Sequence, residues 1–199
     1  MDETDIDNLR RQLGSMGTVG KQVLALFERD LRLPQRGFPN LSDAFVAALA
    51  RELQGQRVLD AGSGTGYLAY RLAEAGIDVL ACDIEDYNAH REVEPRSRRW
   101  KLDVQGDALD LLPGFFDVIL LSWPSFGTPF AAEVTRRLAP GQLLFYLGER
   151  QGGCTANDDF FISLRGAQWA VEVGVCEALN AEYRSDAGMR DKWIVWRRL

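Results

Sequence analysis

The segment Arg57–Gly66, which reads RVLDAGSGTG, constrains the fold of this chain most strongly. Its apolar start, Val58 and Leu59, is typical of a buried strand. The acidic residue Asp60 follows, then glycines at alternate positions, and an Ala- and Leu-rich helical pattern begins at Tyr67. Glycine accepts backbone angles closed to other residues and leaves no side chain between the backbone and a ligand. The segment therefore predicts a strand, a ligand-facing turn and the start of a helix.

From residue 56 onward the pattern alternates between strands and helices, which predicts an α/β fold with helices on both faces of a parallel sheet. The expected strands are 57–60, 78–83, about 100–105, 116–121, 142–147, about 169–176 and 191–198. The expected helices are about 66–75, 129–138 and 156–166. No long helix is expected between the last two strands, which indicates an antiparallel final strand.

Residues 1–55 precede the first strand and are predicted to be helical. The signals place helices at 3–13 and 17–32, a helix end at Pro34, a loop at 36–40 and a third helix capped by Ser42. We expect 1–55 to cover the ligand site as a cap or lid and 56–199 to bind the ligand, within one compact domain.

Length, charge and hydropathy exclude several classes of protein. The 199 residues suit a single core. No apolar run approaches the ~20 residues that cross a bilayer, and the acidic N-terminus lacks the layout of a secretion signal, so we predict a cytoplasmic protein without a membrane partner. The net charge of −6 argues against non-specific nucleic-acid binding. We interpret the local basic cluster as a solvated loop; it comprises Arg91, Arg96, Arg98, Arg99 and Lys101.

The cysteines and the single histidine, His90, do not have the spacing of metal ligands, so no metal site and no disulfide scaffold are predicted. Cys82 and Cys176 lie in apolar, strand-like runs and are expected to be small core residues. Cys154 is a candidate nucleophile, but the sequence identifies no histidine partner for it. We expect His90 to lie on the surface.

The pattern Asp60-x-Gly62-x-Gly64-x-Gly66 is one residue tighter than the G-x-G-x-x-G of dinucleotide-binding turns, which disfavours a nucleotide-cofactor oxidoreductase. With its leading acid, it resembles the first motif of class I S-adenosylmethionine-dependent methyltransferases. The resemblance covers about residues 56–198. It implies S-adenosylmethionine as cofactor and a Rossmann-like, seven-stranded sheet that is mostly parallel with an antiparallel last strand.

Acidic residues stand at the predicted ends of three successive strands, namely Asp60, Asp83 and Asp107. Ligands bind at this edge of a parallel sheet, and a carboxylate at Asp83 can accept hydrogen bonds from both ribose hydroxyls of a nucleoside. Glu85 and Asp86 are alternatives for that role. The resemblance implies the ribose role for Asp83, the methionine ammonium for Asp60 and the adenine amino group for Asp107.

The resemblance also implies that the glycine turn lies along the amino-acid part of the cofactor and that Ile84 packs beside the adenine. The predicted cofactor-binding residues are Asp60, Gly62, Ser63, Gly64, Gly66, Asp83, Ile84, Asp107, Ala108 and Ser122.

Two segments after later strands are candidates for substrate contacts. Ser122–Phe126, which reads SWPSF, is distantly similar to the Asn/Asp/Ser-Pro-Pro-aromatic motif of amino-methylating enzymes. It departs from that motif at Trp123 and Ser125, so adenine or glutamine methylation is not carried over. Trp123 and Phe126 are candidates to pack on the substrate or, by cation–π attraction, on the sulfonium. Hydrophobic covering of the site is an equally good interpretation.

The second segment, Gly148–Thr155, reads GERQGGCT. Glu149 is the candidate proton acceptor or binder of a cationic substrate, with a salt-bridged strand-end acid as the alternative. Cys154 is a further substrate-binding candidate, and Thr155 with Asp158 resembles a capping box. The two segments together resemble a less characterised branch of methyltransferase-like proteins to which we assign no substrate.

The leading hypothesis is a methyltransferase that acts on a small molecule or an exposed side chain, with Glu149 and Trp123 as catalytic candidates. The alternative is a catalytically silent protein that binds S-adenosylmethionine or S-adenosylhomocysteine and regulates a partner.

Overall fold

The structure, a computed structural model, describes residues 3–85 and 97–199. The helices are α1 (Glu3–Ser15), α2 (Gly17–Arg36), α3 (Asp43–Leu53), α4 (Tyr67–Glu74), α5 (Phe130–Arg137), α6 (Asp158–Ser163) and α7 (Val173–Glu182), with a 3-10 turn at Ala108–Leu111. The strands are β1 (Arg57–Ala61), β2 (Asp78–Asp83), β3 (Val104–Gln105), β4 (Val118–Ser122), β5 (Leu143–Gly148), β6 (Trp169–Val171) and β7 (Lys192–Arg198). Within the described ranges, no helix is long and apolar enough to cross a membrane.

The strands form one seven-stranded sheet in the order β3-β2-β1-β4-β5-β7-β6. The pairs from β3 to β5 are parallel, whereas β7 runs antiparallel to both β5 and β6. The predicted α/β, Rossmann-like fold with an antiparallel last strand is therefore confirmed. The order reverses between β1 and β4, and in an open parallel sheet such a reversal opens a crevice at the carboxyl ends of the strands.

Alternating side chains of the central strands fill two cores, one on each face of the sheet. In β4, Val118 and Leu120 face α3, α4 and α7, while Ile119 and Leu121 face α5 and α6. All four side chains are buried, as expected for a parallel strand covered by helices on both sides. Helices on both faces thus hold the carboxyl ends of the strands in fixed positions.

Three local expectations were wrong. Helix α2 continues through Pro34 to Arg36 and ends at Gly37, whose φ is 73° and whose N–H donates to Leu33 O at 2.9 Å. Helix α6 is capped by the side chain of Asn157, not by Thr155. Pro34 removes one backbone donor from the end of α2 without terminating the helix, and Thr155 contacts Tyr146 and Glu149 instead.

The third wrong expectation concerns the strand at 169–176. The strand stops at Val171, and the helix α7 follows it before β7. Asn180 on α7 donates to Trp193 O at 2.7 Å and accepts from Trp193 N at 3.0 Å, which fixes the helix against β7. These tertiary contacts override the strand preference of the valines in this segment. The predicted strand near 100–105 is also shorter, since only Val104 and Gln105 pair with β2.

Candidate functional site

A cavity of about 530 Å³ opens at the carboxyl ends of β1, β2 and β4. Its volume is typical of small-molecule sites. Ten of the residues predicted from the sequence line it, namely Asp60, Gly62, Ser63, Gly64, Asp83, Ile84, Asp107, Ala108, Ser122 and Trp123. Four others do not, namely Gly66, Phe126, Glu149 and Cys154. The structure therefore brings the strand-end residues together around one space.

The glycine turn has the left-handed backbone that the sequence indicates, with φ values of 72°, 57° and 70° at Gly62, Gly64 and Gly66. Its amides at Gly62 and Ser63 donate to Cys82 O at 2.9 and 3.0 Å, which ties the turn to β2. A Cβ added at Gly64 would meet no atom within 4 Å, whereas one added at Gly66 would lie 1.8 Å from Lys101 O. Gly64 therefore leaves room for a ligand, while Gly66 is required by packing.

Asp60 is the most unusual group at the site. Its side chain is only 1% exposed and lines the cavity. Neither carboxylate oxygen has a hydrogen-bond partner among the described residues. Burial, and secondarily the charge of Asp83, raises the pKa of Asp60 to about 7, with the backbone at Ala69 acting in the opposite direction. An acidic group buried in this way is stabilised by a cation placed beside it.

Asp83, the last residue of β2, is 8% exposed and has both oxygens engaged. Oδ2 accepts from Gly64 N at 2.7 Å, and Oδ1 accepts from Glu85 N at 2.9 Å. These contacts fix the carboxylate toward the cavity. Because a carboxylate oxygen has two acceptor positions, each oxygen can also accept from a ligand hydroxyl.

The third acid, Asp107, caps the 3-10 turn by accepting from Leu109 N at 2.9 Å through Oδ1. Ile84 is 70% exposed and lines the cavity beside it, and Ala108 is buried at the cavity wall. This end of the cavity thus offers apolar contacts together with one carboxylate.

Trp123 forms a wall of the cavity and has a left-handed backbone, with φ of 54°. Its indole Nε1 donates to Asp191 Oδ2 at 2.9 Å, and Tyr183 OH donates to the same oxygen at 2.6 Å. The indole ring is stacked on Phe38, with centroids 4.6 Å apart and planes inclined by 12°. Asp191 is 1% exposed, so a buried acid orients the indole.

Sequence reasoning missed the contribution of the loop after α2. Phe38 and Pro39 line the cavity, and Arg32 holds this loop by donating to Gly37 O at 2.9 Å and Pro39 O at 3.0 Å. Arg32 also forms an ion pair with Asp186. The sequence carries no signal for these contacts because the partners are brought together only by the fold.

The three described residues of the basic cluster are engaged by the protein itself. Arg99 donates to Gly64 O at 2.6 Å, and the guanidinium of Arg98 lies 3.5 Å from the centre of the Trp100 ring. The cluster's other described member, Lys101, pairs with Asp103 at 2.8 Å. The predictions for Asp86, His90, Arg91 and Arg96 lie outside the described residues.

The Gly148–Thr155 segment forms a separate network beside the cavity. Glu149 Oε2 accepts from Cys154 N at 3.0 Å, and this hydrogen bond is the main reason that the pKa of Glu149 is lowered. Thr155 Oγ1 lies 2.7 Å from Tyr146 OH and accepts from Glu149 N at 2.7 Å. Burial raises the pKa of the exposed Cys154 thiol, with Glu149 acting in the same direction. The lowered pKa does not favour Glu149 as a base, and the raised pKa does not favour Cys154 as a nucleophile.

Among residues 3–85 and 97–199, no group of three or more His, Cys, Asp and Glu side chains could hold a metal ion. Cys82 is buried in β2, as expected, but Cys176 lies on α7 and not in a strand.

The similarity to known proteins covers the part of the chain that contains the glycine turn. Residues 59–146 match the model of a family described as a methyltransferase domain. The ribosomal protein L11 methyltransferase of Syntrophotalea carbinolica is 36% identical over 98 residues, which cover 47% of this chain and 32% of that protein. The cypemycin N-terminal methyltransferase of a Streptomyces species is 35% identical over 104 residues, which cover 48% of this chain and 42% of that protein. The chain thus spans less than half the length of these relatives.

Among solved structures, magnesium protoporphyrin IX methyltransferase from Synechocystis PCC 6803, with bound S-adenosylmethionine, superposes with a TM-score of 0.51. The two chains are 19% identical, and the superposition covers 99% of this chain and 92% of the other. This likeness shows a shared fold. The chain is thus similar to a methyltransferase domain over residues 59–146, and it shares the fold of a solved methyltransferase.

Proposed function

We propose that this protein binds S-adenosylmethionine in the cavity and transfers its methyl group to a small molecule or an exposed side chain. The observation that carries the proposal is Asp60, a buried carboxylate that lines the cavity and lacks a partner in the described structure. S-adenosylmethionine carries an ammonium and a sulfonium, so it supplies the cation that this group lacks. The residues present fit this cofactor.

Each end of the cavity suits one part of the cofactor. We assign the ribose hydroxyls to Asp83, which two backbone donors fix, and the adenine to Asp107 with Ile84 and Ala108, all of which line the cavity. The open backbone at Gly64 lies along the amino-acid part. Gly66 supports the turn through packing.

The cofactor supplies a methyl group on a positively charged sulfur, which a nucleophile of the acceptor displaces. Trp123 and Phe38 form an aromatic wall beside this end of the cavity, and Ser122 Oγ is buried there without a partner in the described structure. We propose that Trp123 and Phe38 hold the acceptor and that residues 1–55 cover it, since the loop after α2 lines the cavity. Glu149 and Cys154 remain predictions for substrate contact.

Isothermal titration with S-adenosylmethionine, S-adenosylhomocysteine and NAD tests the cofactor proposal. We expect both adenosyl ligands to bind and NAD not to bind. Asp83→Ala should weaken S-adenosylmethionine binding at least about tenfold, because a hydrogen bond to a charged group contributes roughly 1.5–3 kcal/mol. Asp78→Ala, at the exposed opposite end of β2, is the matched control and should leave the affinity unchanged. Equal affinities for the wild type and Asp83→Ala would contradict this placement of the ribose.

Methyl transfer is tested by incubating the protein with methyl-labelled S-adenosylmethionine and fractionated cell extract. With the wild type, label should move to one fraction. With Asp60→Ala, whose cofactor site is impaired, label should move to no fraction. Binding of the cofactor without transfer to any fraction would favour the silent regulatory binder.

A further inference from the structure

The cavity divides into an acidic part and an aromatic part. Phe38 and Trp123 line the aromatic part, and Pro39 and Pro124 lie beside them in the cavity wall. None of these four side chains carries a charge. The carboxylates that line the cavity belong to or follow β1, β2 and β3, namely Asp60, Asp83, Glu85 and Asp107. The aromatic part, which we call the acceptor end, is therefore suited to an apolar group.

The Trp123 ring is held in the cavity wall from several directions. Its Nε1 donates to Asp191 Oδ2 at 2.9 Å, and its backbone N donates to Leu147 O at 2.8 Å. Trp123 also packs against the core that lies between the sheet and α3, α4 and α7. Its backbone is left-handed, with φ of 54°, which is unfavourable for a bulky residue and persists only where the surroundings fix it. Such strain is typical of a residue that a functional site keeps in place.

Asp191 fixes the indole and is itself fixed. Its side chain is 1% exposed, and Oδ2 also accepts from Tyr183 OH at 2.6 Å. Its carbonyl oxygen accepts from Ser185 Oγ at 2.9 Å. Asp191 does not line the cavity, so it reaches the cavity through Trp123. A ring whose hydrogen-bond partner is held in this way has little freedom to turn, which gives the wall a defined surface.

Phe38 lies on the indole and extends the wall into the cavity. The two ring centroids are 4.6 Å apart, and the ring planes are inclined by 12°. Phe38 is 44% exposed and lines the cavity, so part of its ring is open to a ligand. Arg32 holds the backbone around Phe38 through Gly37 O and Pro39 O. Aromatic rings attract each other in offset-stacked arrangements, and a flat ring makes this contact over a larger area than a puckered, saturated ring.

We propose that the methyl acceptor carries a flat aromatic ring that stacks on Phe38, and that Asp191 is a positioning residue that keeps the pair of Phe38 and Trp123 in place. This inference rests on the proposed function, and it names the class of acceptor for the same site. It favours an aromatic compound over an exposed aliphatic side chain. Asp191 acts through the indole and touches neither the acceptor nor the cofactor.

The test uses pairs of probe compounds that differ in ring saturation, namely phenol with cyclohexanol and naphthol with decalinol. Ligand-observed NMR measures the dissociation constant of each probe for protein saturated with S-adenosylhomocysteine, which has no methyl group to transfer. The variants are Phe38→Leu, Asp191→Leu and Asp191→Asn. The control is Phe115→Leu, which makes the same change as Phe38→Leu at an 85% exposed ring outside the cavity lining. Isothermal titration with S-adenosylhomocysteine and thermal unfolding verify the cofactor site and the fold of each variant.

We expect the wild type to bind each aromatic probe about fivefold more tightly than its saturated partner. This ratio should fall to about one in Phe38→Leu, fall at least about twofold in Asp191→Leu and stay unchanged in Phe115→Leu. Asp191→Asn keeps an oxygen that can accept from Trp123 Nε1, so it should recover most of the ratio. The affinity for S-adenosylhomocysteine should stay within about twofold in every variant. If Asp191→Leu does not fold, Trp123→Phe removes the same hydrogen bond and takes its place.

Equal affinities for the aromatic and saturated probes in the wild type would overturn the aromatic class of acceptor. An unchanged ratio in Asp191→Leu, or equal losses in Asp191→Leu and Asp191→Asn, would overturn the positioning role. A wild type that binds S-adenosylhomocysteine but neither aromatic probe would overturn the acceptor class and leave the cofactor proposal standing. A wild type that does not bind S-adenosylhomocysteine would refute the proposed function itself.

Discussion

Replacing Asp60 by asparagine should remove a pH-dependent loss of stability from the protein without cofactor. The folded pKa of Asp60 is raised from 3.8 to about 7, chiefly by burial. Between these values the folded chain holds a proton that the unfolded chain has released. Stability therefore falls as pH rises through this window and levels off above about pH 7.

The magnitude follows from the size of the shift. One pKa unit corresponds to about 1.4 kcal/mol, so three units set an upper bound of roughly 4 kcal/mol, of which about 2–3 kcal/mol falls between pH 5 and 7. The asparagine side chain of the variant has nearly the same shape as the aspartate and does not titrate. The free energy of unfolding of Asp60→Asn minus that of the wild type should thus grow by about 2–3 kcal/mol from pH 5 to pH 8.

Denaturant unfolding at pH 5, 6, 7 and 8 measures this difference, and Asp78→Asn serves as the control because its side chain is exposed at the opposite end of β2. The difference profile for the control should be flat. Saturating S-adenosylmethionine should reduce the slope for the wild type, because a bound cation favours the ionised acid. Parallel pH profiles for the wild type and Asp60→Asn would refute the reasoning, since Asp60 would then titrate alike in the folded and unfolded chains.

Two further changes test the structure around the site. Trp123→Phe keeps a ring against Phe38 but leaves Asp191 with one donor fewer, so it should lower the free energy of unfolding by about 1–3 kcal/mol, as measured in urea. A loss within error would show that this hydrogen bond contributes nothing. Gly66→Ala should destabilise the fold by more than about 3 kcal/mol, because its Cβ would lie 1.8 Å from a backbone oxygen. Gly55 has a similar φ of 75° and open space, so Gly55→Ala should lower the free energy of unfolding by only about 1 kcal/mol. Equal losses for the two variants would show that the backbone angle alone determines the loss of stability.

Local patterns in the sequence were sufficient to place the acids at the strand ends beside the cavity. Asp60 and Asp83 each follow a short apolar run, and such runs predict buried strands whose carboxyl ends share one edge. The cap at Ser42 is also confirmed, since its side chain accepts from Phe45 N. These features depend on residues within a few positions of one another.

Trp123, in the other wall of the site, was predicted, but its contacts were not, because they join distant residues. The hydrogen bond from Trp123 to Asp191 spans 68 positions. The stacking of Phe38 on Trp123 needs the end of α2 to reach the sheet edge. Phe126, predicted as the aromatic residue of the SWPSF segment, is instead 52% exposed and does not line the cavity.

The balance of charge in the cavity connects its stability to its selectivity. Backbone amides stabilise two of its acids, since Asp83 accepts from Gly64 and Glu85, and Asp107 accepts from Leu109. Asp60 is buried, and the backbone at Ala69 only partly offsets the effect of that burial. The protein without ligand therefore holds an acid that is poorly stabilised when ionised. A cation placed beside Asp60 relieves this directly, so the same buried carboxylate that lowers stability at neutral pH favours a ligand that brings a cation to this point.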